Sequence, residues 1–223
     1  MFAEVDPIWK EAFALAWDAF RRGNVPVGCV VAHGPDIVAR GQNGIYDEPS
    51  ITPLAGTDLA HAEMVALSKL RKREHSISEY TLYTTMEPCP MCFGSIVMVG
   101  IQQVRYAARD GWAGSAALST ATPYLSLKKM NFVLEGGPLE AFQIALSTAF
   151  ELRRGHPNRG LLLDSWHAHS PEGVRVGTVL FEQGYFAAAV RDGSKVEQVY
   201  AEVVANLADK SRAEPAGALC EEE

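Results

Sequence analysis

The chain has 223 residues, 48% apolar and 21% charged, with a formal net charge of −7. That is an ordinary globular composition, long enough for one well-buried domain with an extension and short for two. The acidic balance disfavours a partner held through its phosphates. Four cysteines, two of them in one C-x-x-C, are too few for a disulfide scaffold.

The N-terminus lacks the basic and apolar regions of a signal peptide. The longest apolar stretch, Phe93 to Ile101, is too short to span a bilayer. A cytoplasmic protein with no membrane partner is expected.

Pro7 to Arg22 reads as a helix, started by Asp6-Pro7 and stopped by Gly23-Asn24. Its stripe of Trp9, Phe13, Ala16, Trp17 and Phe20 reads as core. Val27 to Ala32 and Ile37 to Arg40 form a hairpin around His33-Gly34-Pro35-Asp36. A long polar loop, Gly44 to Thr57, follows. Asp58 is expected to cap the next helix, which carries His61, Glu63, Met64, Leu67 and Leu70.

Tyr80 to Thr85 has strong β character and leads into Glu87-Pro88-Cys89, where a helix begins and runs to about Gly100. Gln103 to Ala107 and Phe132 to Leu134 are the last two strands. Pro138 to Arg154 is a helix whose buried side is read as Leu139, Phe142, Ile144, Ala145, Ala149 and Leu152. Strands alternating with helices imply a layered α/β domain, and the opening hairpin makes its sheet mixed.

After Gly155-His-Pro-Asn-Arg-Gly160 the pattern changes. Val174 to Val190 is apolar but interrupted by Gly177 and Gly184. Ser194 to Asp209 is an amphipathic helix with a Ser194/Glu197 capping box. The expected division is a main α/β domain over 1–155, a helical C-terminal extension over 156–209 and a disordered acidic tail over 210–223. The basic runs Lys69-Leu-Arg-Lys-Arg73 and Arg153-Arg154 read as solvated helix ends.

The chemistry concentrates in His61-Ala-Glu63 and Pro88-Cys-Pro-Met-Cys92. One histidine and two thiolates suit zinc and leave its fourth position open. His61, Cys89 and Cys92 are therefore the expected metal ligands. Glu63 sits beside them as a free carboxylate, the expected catalytic acid and base. A structural zinc site normally takes four protein ligands, and Cys29 and Cys220 are poorly placed to supply one. A redox C-x-x-C lacks its usual surroundings.

The spacing H-x-E…P-C-x-x-C is that of the nucleobase zinc deaminases. Residues Ile8 to Arg154 resemble the cytidine/deoxycytidylate-type zinc deaminases, through Val25-Pro-Val-Gly28, Gly41-Gln-Asn43, His61-Ala-Glu63 and Thr81 to Cys92. The resemblance implies a three-layer α/β/α sandwich with a five-stranded mixed sheet, and a homodimer. It also implies that Asn43 and the backbone N–H near Ala62 bind substrate. Trp112, after the fourth strand, is a candidate to stack on a base; the alternative is a core or interface tryptophan.

The expected reaction is hydrolytic release of ammonia by a zinc-bound hydroxide, a hydrolysis of the C–N bond of a cyclic amidine. The motifs are similar in part to guanine deaminases, to fungal cytosine deaminases and to bacterial tRNA adenosine deaminases. The acidic chain, and Tyr46, Asp47 and Glu48 in a loop expected near the pocket, favour a free guanine-like or cytosine-like base or nucleoside. The alternatives are a tRNA adenosine deaminase (A to I) and a non-catalytic zinc-binding subunit. Trp166-His-x-His169 is read as surface residues, with a second metal site or a pocket cover as the functional alternatives.

Overall fold

The computed structural model describes residues 2–49, 51–71 and 76–208. Five strands form one sheet: β1 (Gly28–His33), β2 (Asp36–Gln42), β3 (Thr81–Met86), β4 (Gln103–Ala108) and β5 (Asn131–Leu134). Their order is β2-β1-β3-β4-β5. β1 is antiparallel to both β2 and β3, while β3, β4 and β5 run parallel. The mixed sheet expected from the hairpin is present.

Alternation along β1 sends its side chains to two cores. Val30 and Ala32 join one cluster, Cys29 and Val31 the other, as the two-residue period of a strand requires. α1 (Pro7–Arg21) and α5 (Gly137–Arg154) cover the first face; α2 (Ala62–Leu67) and α3 (Pro90–Val99) cover the second. A short helix, α4 (Pro123–Leu127), precedes β5.

α1 begins as the sequence indicates, with the Asp6 carboxylate accepting the Ile8 N–H at 2.8 Å and Pro7 in the first turn. Its aromatic stripe is core, with Trp9, Phe13, Trp17 and Phe20 all at most 3% exposed. α2 differs from expectation. It starts at Ala62 with His61, not Asp58, at the N-cap, and it ends at Leu67. Gly41 on β2 permits its close approach, since a Cβ there would lie 2.0 Å from the Ala62 carbonyl oxygen.

Four further helices follow: α6 (Arg159–His167), α7 (Pro171–Glu182), α8 (Tyr185–Arg191) and α9 (Val196–Ala208). They add a layer behind α5. Phe142 of α5 lies between Phe13 and Tyr200 of α9, with ring centroids 5.2 and 5.1 Å away. The Trp17 indole donates to the Ser194 carbonyl at 2.8 Å. This layer explains why every residue of α5 from Leu139 to Glu151 is buried, a wider face than its apolar stripe indicated.

Gly177 lies inside α7 rather than breaking it; Gly184, at φ 71°, makes the break before α8. At α9 the Lys195 N–H donates to Gln198 Oε1 at 2.8 Å. That reach-back is one residue later than the Ser194/Glu197 pairing expected. The tail expected over 210–223 and part of the basic run ending at Arg73 lie outside the described residues. No helix among the described residues is long and apolar enough to cross a membrane.

Candidate metal centre and its pocket

Two helix N-termini build the site. His61 and Cys89 are N-cap residues of α2 and α3, and Cys92 lies one turn into α3. Pro90 at the start of α3 lacks an N–H that the helix could not use. The two N-termini converge, which concentrates positive dipole ends where thiolates are to be held.

His61 Nδ1 lies 3.5 Å from Cys89 Sγ and 3.5 Å from Cys92 Sγ. All three donor atoms lie within 4.8 Å of one another. A tetrahedral ion at about 2.3 Å from sulfur and about 2.0 Å from nitrogen sets each S···N pair about 3.5 Å apart. The three residues fit zinc in ligand type and in spacing. Among the described residues this is the one such cluster.

The electrostatics agree. A hydrogen bond from Cys92 pushes the Cys89 pKa down to about 4, with His61 helping against burial. The same hydrogen bond, then burial, pushes Cys92 upward. The hydrogen bond thus favours the thiolate on Cys89 and the thiol on Cys92. A divalent cation takes both as thiolates and displaces the proton. His61 is raised, chiefly by its hydrogen bond to Cys89.

Glu63 is 4% exposed. Its Oε1 accepts from Thr84 Oγ1 at 3.0 Å, and its Oε2 lies 3.4 Å from Cys92 Sγ. Burial raises its carboxyl above the ordinary range, partly offset by a backbone hydrogen bond and by His61. A buried carboxylate that is outside the ligand set yet beside it can exchange a proton with a neighbouring ligand.

A cavity of about 180 Å³ opens onto these groups. It is smaller than the roughly 300–1,000 Å³ of pockets for drug-sized ligands and suits one heterocycle. Asn43, Ala62 and Trp112 all line it, as do Val25, Pro26 and Val27. Asn43 is 3% exposed, fixed by its N–H donating to the Val27 carbonyl at 3.0 Å. Ala62 opens α2, so its N–H is one that the helix leaves unused. Trp112 is 49% exposed, and its N–H donates to Asp110 Oδ1 at 3.0 Å. It is a rim residue, not core.

The described residues of the loop from Gly44 to Thr57 contribute nothing to the lining. Asp47 is occupied by Arg22 and Asn24, each at 2.7 Å. The far wall comes instead from α5 and α6: Ser147, Phe150, Glu151, Leu162 and Trp166. Trp166 is 5% exposed and its indole N–H donates to Asp110 Oδ1 at 3.0 Å. It lines the pocket, while His167 and His169 are exposed. No local sequence signal marks this wall, since Glu140, Gln143 and Thr148 of α5 are polar and buried as well.

A family profile, the cytidine and deoxycytidylate deaminase zinc-binding region, matches residues 5–108. The tRNA-specific adenosine deaminase of Bacillus subtilis (strain 168) is 32% identical over 145 residues, 60% of this chain and 84% of that protein. The tRNA-specific adenosine deaminase 2 of Xenopus laevis is 32% identical over 115 residues, 48% of this chain and 62% of that protein. The chain spans between half and two thirds of the length of the Xenopus and Danio relatives it matches. A solved structure from a study of A-to-I editing by tRNA:A34 deaminases is 23% identical, covers 62% of this chain and 97% of its own, and has a TM-score of 0.50. That likeness is one of fold.

Proposed function

The chain belongs to the cytidine and deoxycytidylate deaminase family of zinc proteins, and from that premise we propose that it is a hydrolytic deaminase releasing ammonia from an aminated heterocycle. The observation that carries the reaction class is Glu63, enclosed at 4% exposure beside the ligand set and held by Thr84. A non-catalytic zinc subunit has no need of that carboxylate.

When bound to His61, Cys89 and Cys92, zinc supplies Lewis acidity and lowers the pKa of water. Glu63 would accept one proton of the attacking water and pass it to a ring nitrogen, then accept the second from the hydroxyl added to the ring carbon and pass it to the departing amine, leaving a ring carbonyl and ammonia. The Ala62 N–H and the Asn43 amide orient the ring. Trp112 stacks on its exposed face.

The substrate we assign is adenosine presented in a tRNA. The support is the named activity of the B. subtilis and Xenopus relatives. This replaces the expectation of a free guanine-like or cytosine-like base. A second reading keeps that expectation because Leu162 and Trp166 of α6 wall the cavity, and because nearby cations are occupied. Arg109 pairs with Glu140 at 2.9 Å, and Arg153 lies 4.5 Å from the Phe20 ring centroid.

The test is zinc-loaded protein offered an anticodon stem-loop with adenosine at the wobble position, alongside free bases and nucleosides, scored for ammonia and inosine. Turnover of the stem-loop alone supports the first reading, and of small molecules alone the second. No turnover of either, or full activity in Glu63→Ala, refutes the deaminase assignment. We keep the homodimer as part of this proposal. It is supported by the apolar exposure of Met98 at 69% and Leu127 at 78%, and light scattering tests it.

A further inference from the structure

Three ionisable groups of the pocket have no part in the proton transfers described: Glu87, Asp110 and Glu151. Glu87 accepts the Asp110 and Ala116 N–H groups, and Asp110 accepts those of Trp112 and Trp166. Glu151, on α5, lines the same cavity as His61, Glu63 and Asn43. It is 5% exposed. Its Oε2 is enclosed and accepts no hydrogen bond, its ion-pair partner being the Arg154 guanidinium at 3.2 Å. Arg154 in turn donates to the Tyr46 hydroxyl at 3.2 Å.

A buried carboxylate short of hydrogen bonds is costly, and helix formation gains nothing from it. Ser147 and Phe150 reach the same cavity from one turn earlier and from the preceding residue. α5 therefore presents a small hydroxyl, an aromatic edge and an acceptor-only group to whatever fills the space. An ionised carboxylate can only accept, so the complementary ligand carries a donor.

We propose that Glu151 is a substrate-binding residue that accepts a hydrogen bond from an N–H or O–H group of the substrate, on the edge turned away from the amine that is lost. The proposal rests on the reading of the cavity as a base pocket. The donor has two sources: a ring N–H of a free base, or a ribose hydroxyl of a nucleoside. Arg154 pairs with the same carboxylate at 3.2 Å.

The experiment uses the full chain, zinc-loaded and carrying Glu63→Ala so that ligands persist. Binding is read by quenching of tryptophan fluorescence, since Trp112 and Trp166 line the cavity. Three matched pairs are titrated: guanine with 9-methylguanine, cytosine with 1-methylcytosine, and an anticodon stem-loop carrying adenosine at the wobble position with the same stem-loop carrying 2′-deoxyadenosine there. The donor-bearing member of at least one pair is expected to bind tighter. Adding Glu151→Gln is expected to weaken that member about tenfold or more and to leave its donor-free partner unchanged. The pair that responds identifies the donor.

Arg154→Met separates this from a merely structural ion pair. It is expected to keep the preference for the donor-bearing probe. Equal binding to Glu151→Gln and its parent, equal losses for both members of each pair, or loss of the preference in Arg154→Met overturns the assignment. A parent that binds none of the probes overturns the base-pocket reading itself, and this assignment with it.

Discussion

Replacing Gly177 with alanine isolates the packing that holds the C-terminal helices on the sheet domain. In an open helix the change is favourable, by about 0.8–1.0 kcal/mol of helix propensity. In α7 the new Cβ would lie 2.7 Å from the Ala145 carbonyl oxygen, 2.8 Å from Thr148 Cβ and 2.9 Å from Ala145 Cα. Two of these atoms are backbone of α5 and the third cannot rotate away. The helices must part, at a cost of about 1–3 kcal/mol. The balance runs from near neutral to about 2 kcal/mol destabilising.

Gly160 of α6 is the matched control, because nothing lies within 4 Å of a Cβ added there. Gly160→Ala should be stabilising, by up to about 1 kcal/mol. At about 2–4 °C per kcal/mol for a chain of this size, the two melting temperatures should differ by about 2–12 °C. Thermal melts followed by circular dichroism measure both on the same day and buffer. If Gly177→Ala raises the melting temperature as much as Gly160→Ala does, α7 does not pack on α5 as described.

Other expectations concern the site. Prolonged dialysis against a chelator should remove one zinc per chain and lower the melting temperature, with zinc readdition restoring it; Cys92→Ala should bind less than one equivalent by metal analysis. Glu63→Ala should keep its zinc and lose about 10²–10⁴-fold in turnover. Thr84→Val removes the 3.0 Å donor to Glu63. It should lower kcat with zinc content unchanged, and unaltered kcat would remove Thr84 from the machinery. Burial raises the Glu151 carboxyl above its ordinary value, with Arg154 opposing. Its folded pKa exceeds its unfolded one, so ionising it destabilises the fold as pH rises between those two values. Glu151→Gln should therefore match the parent in denaturant melts at low pH and become the more stable protein as pH rises through that window. A gain confined to acid would contradict this sign.

The strands and long helices were legible because their periods are strong and their caps are local, as at Asp6-Pro7 and Gly100. The metal ligands were legible because two of them share a four-residue motif and the third sits two residues from Glu63. α2 was misread at its start because Asp58 looks like a cap, while His61 takes that position to face Cys89. The far wall was not legible. Glu151 of α5 and Leu162 and Trp166 of α6 line the cavity together through the packing of helices distant in sequence from the metal motifs, a placement that no local pattern encodes. The acidic loop misled for the same reason: Asp47 is spent on Arg22 and Asn24, away from the cavity.

α5 is covered by the sheet on one side and by α7 and α9 on the other, and it is also a wall of the pocket. Its amides can exchange with solvent only when most of the protein opens. A wall of that kind has no breathing motion of its own. Traffic through the cavity is thus left to the rim where Trp112 stands 49% exposed on the turn pinned by Asp110. Ligand residence time becomes a property of that turn, while ligand fit belongs to the helix.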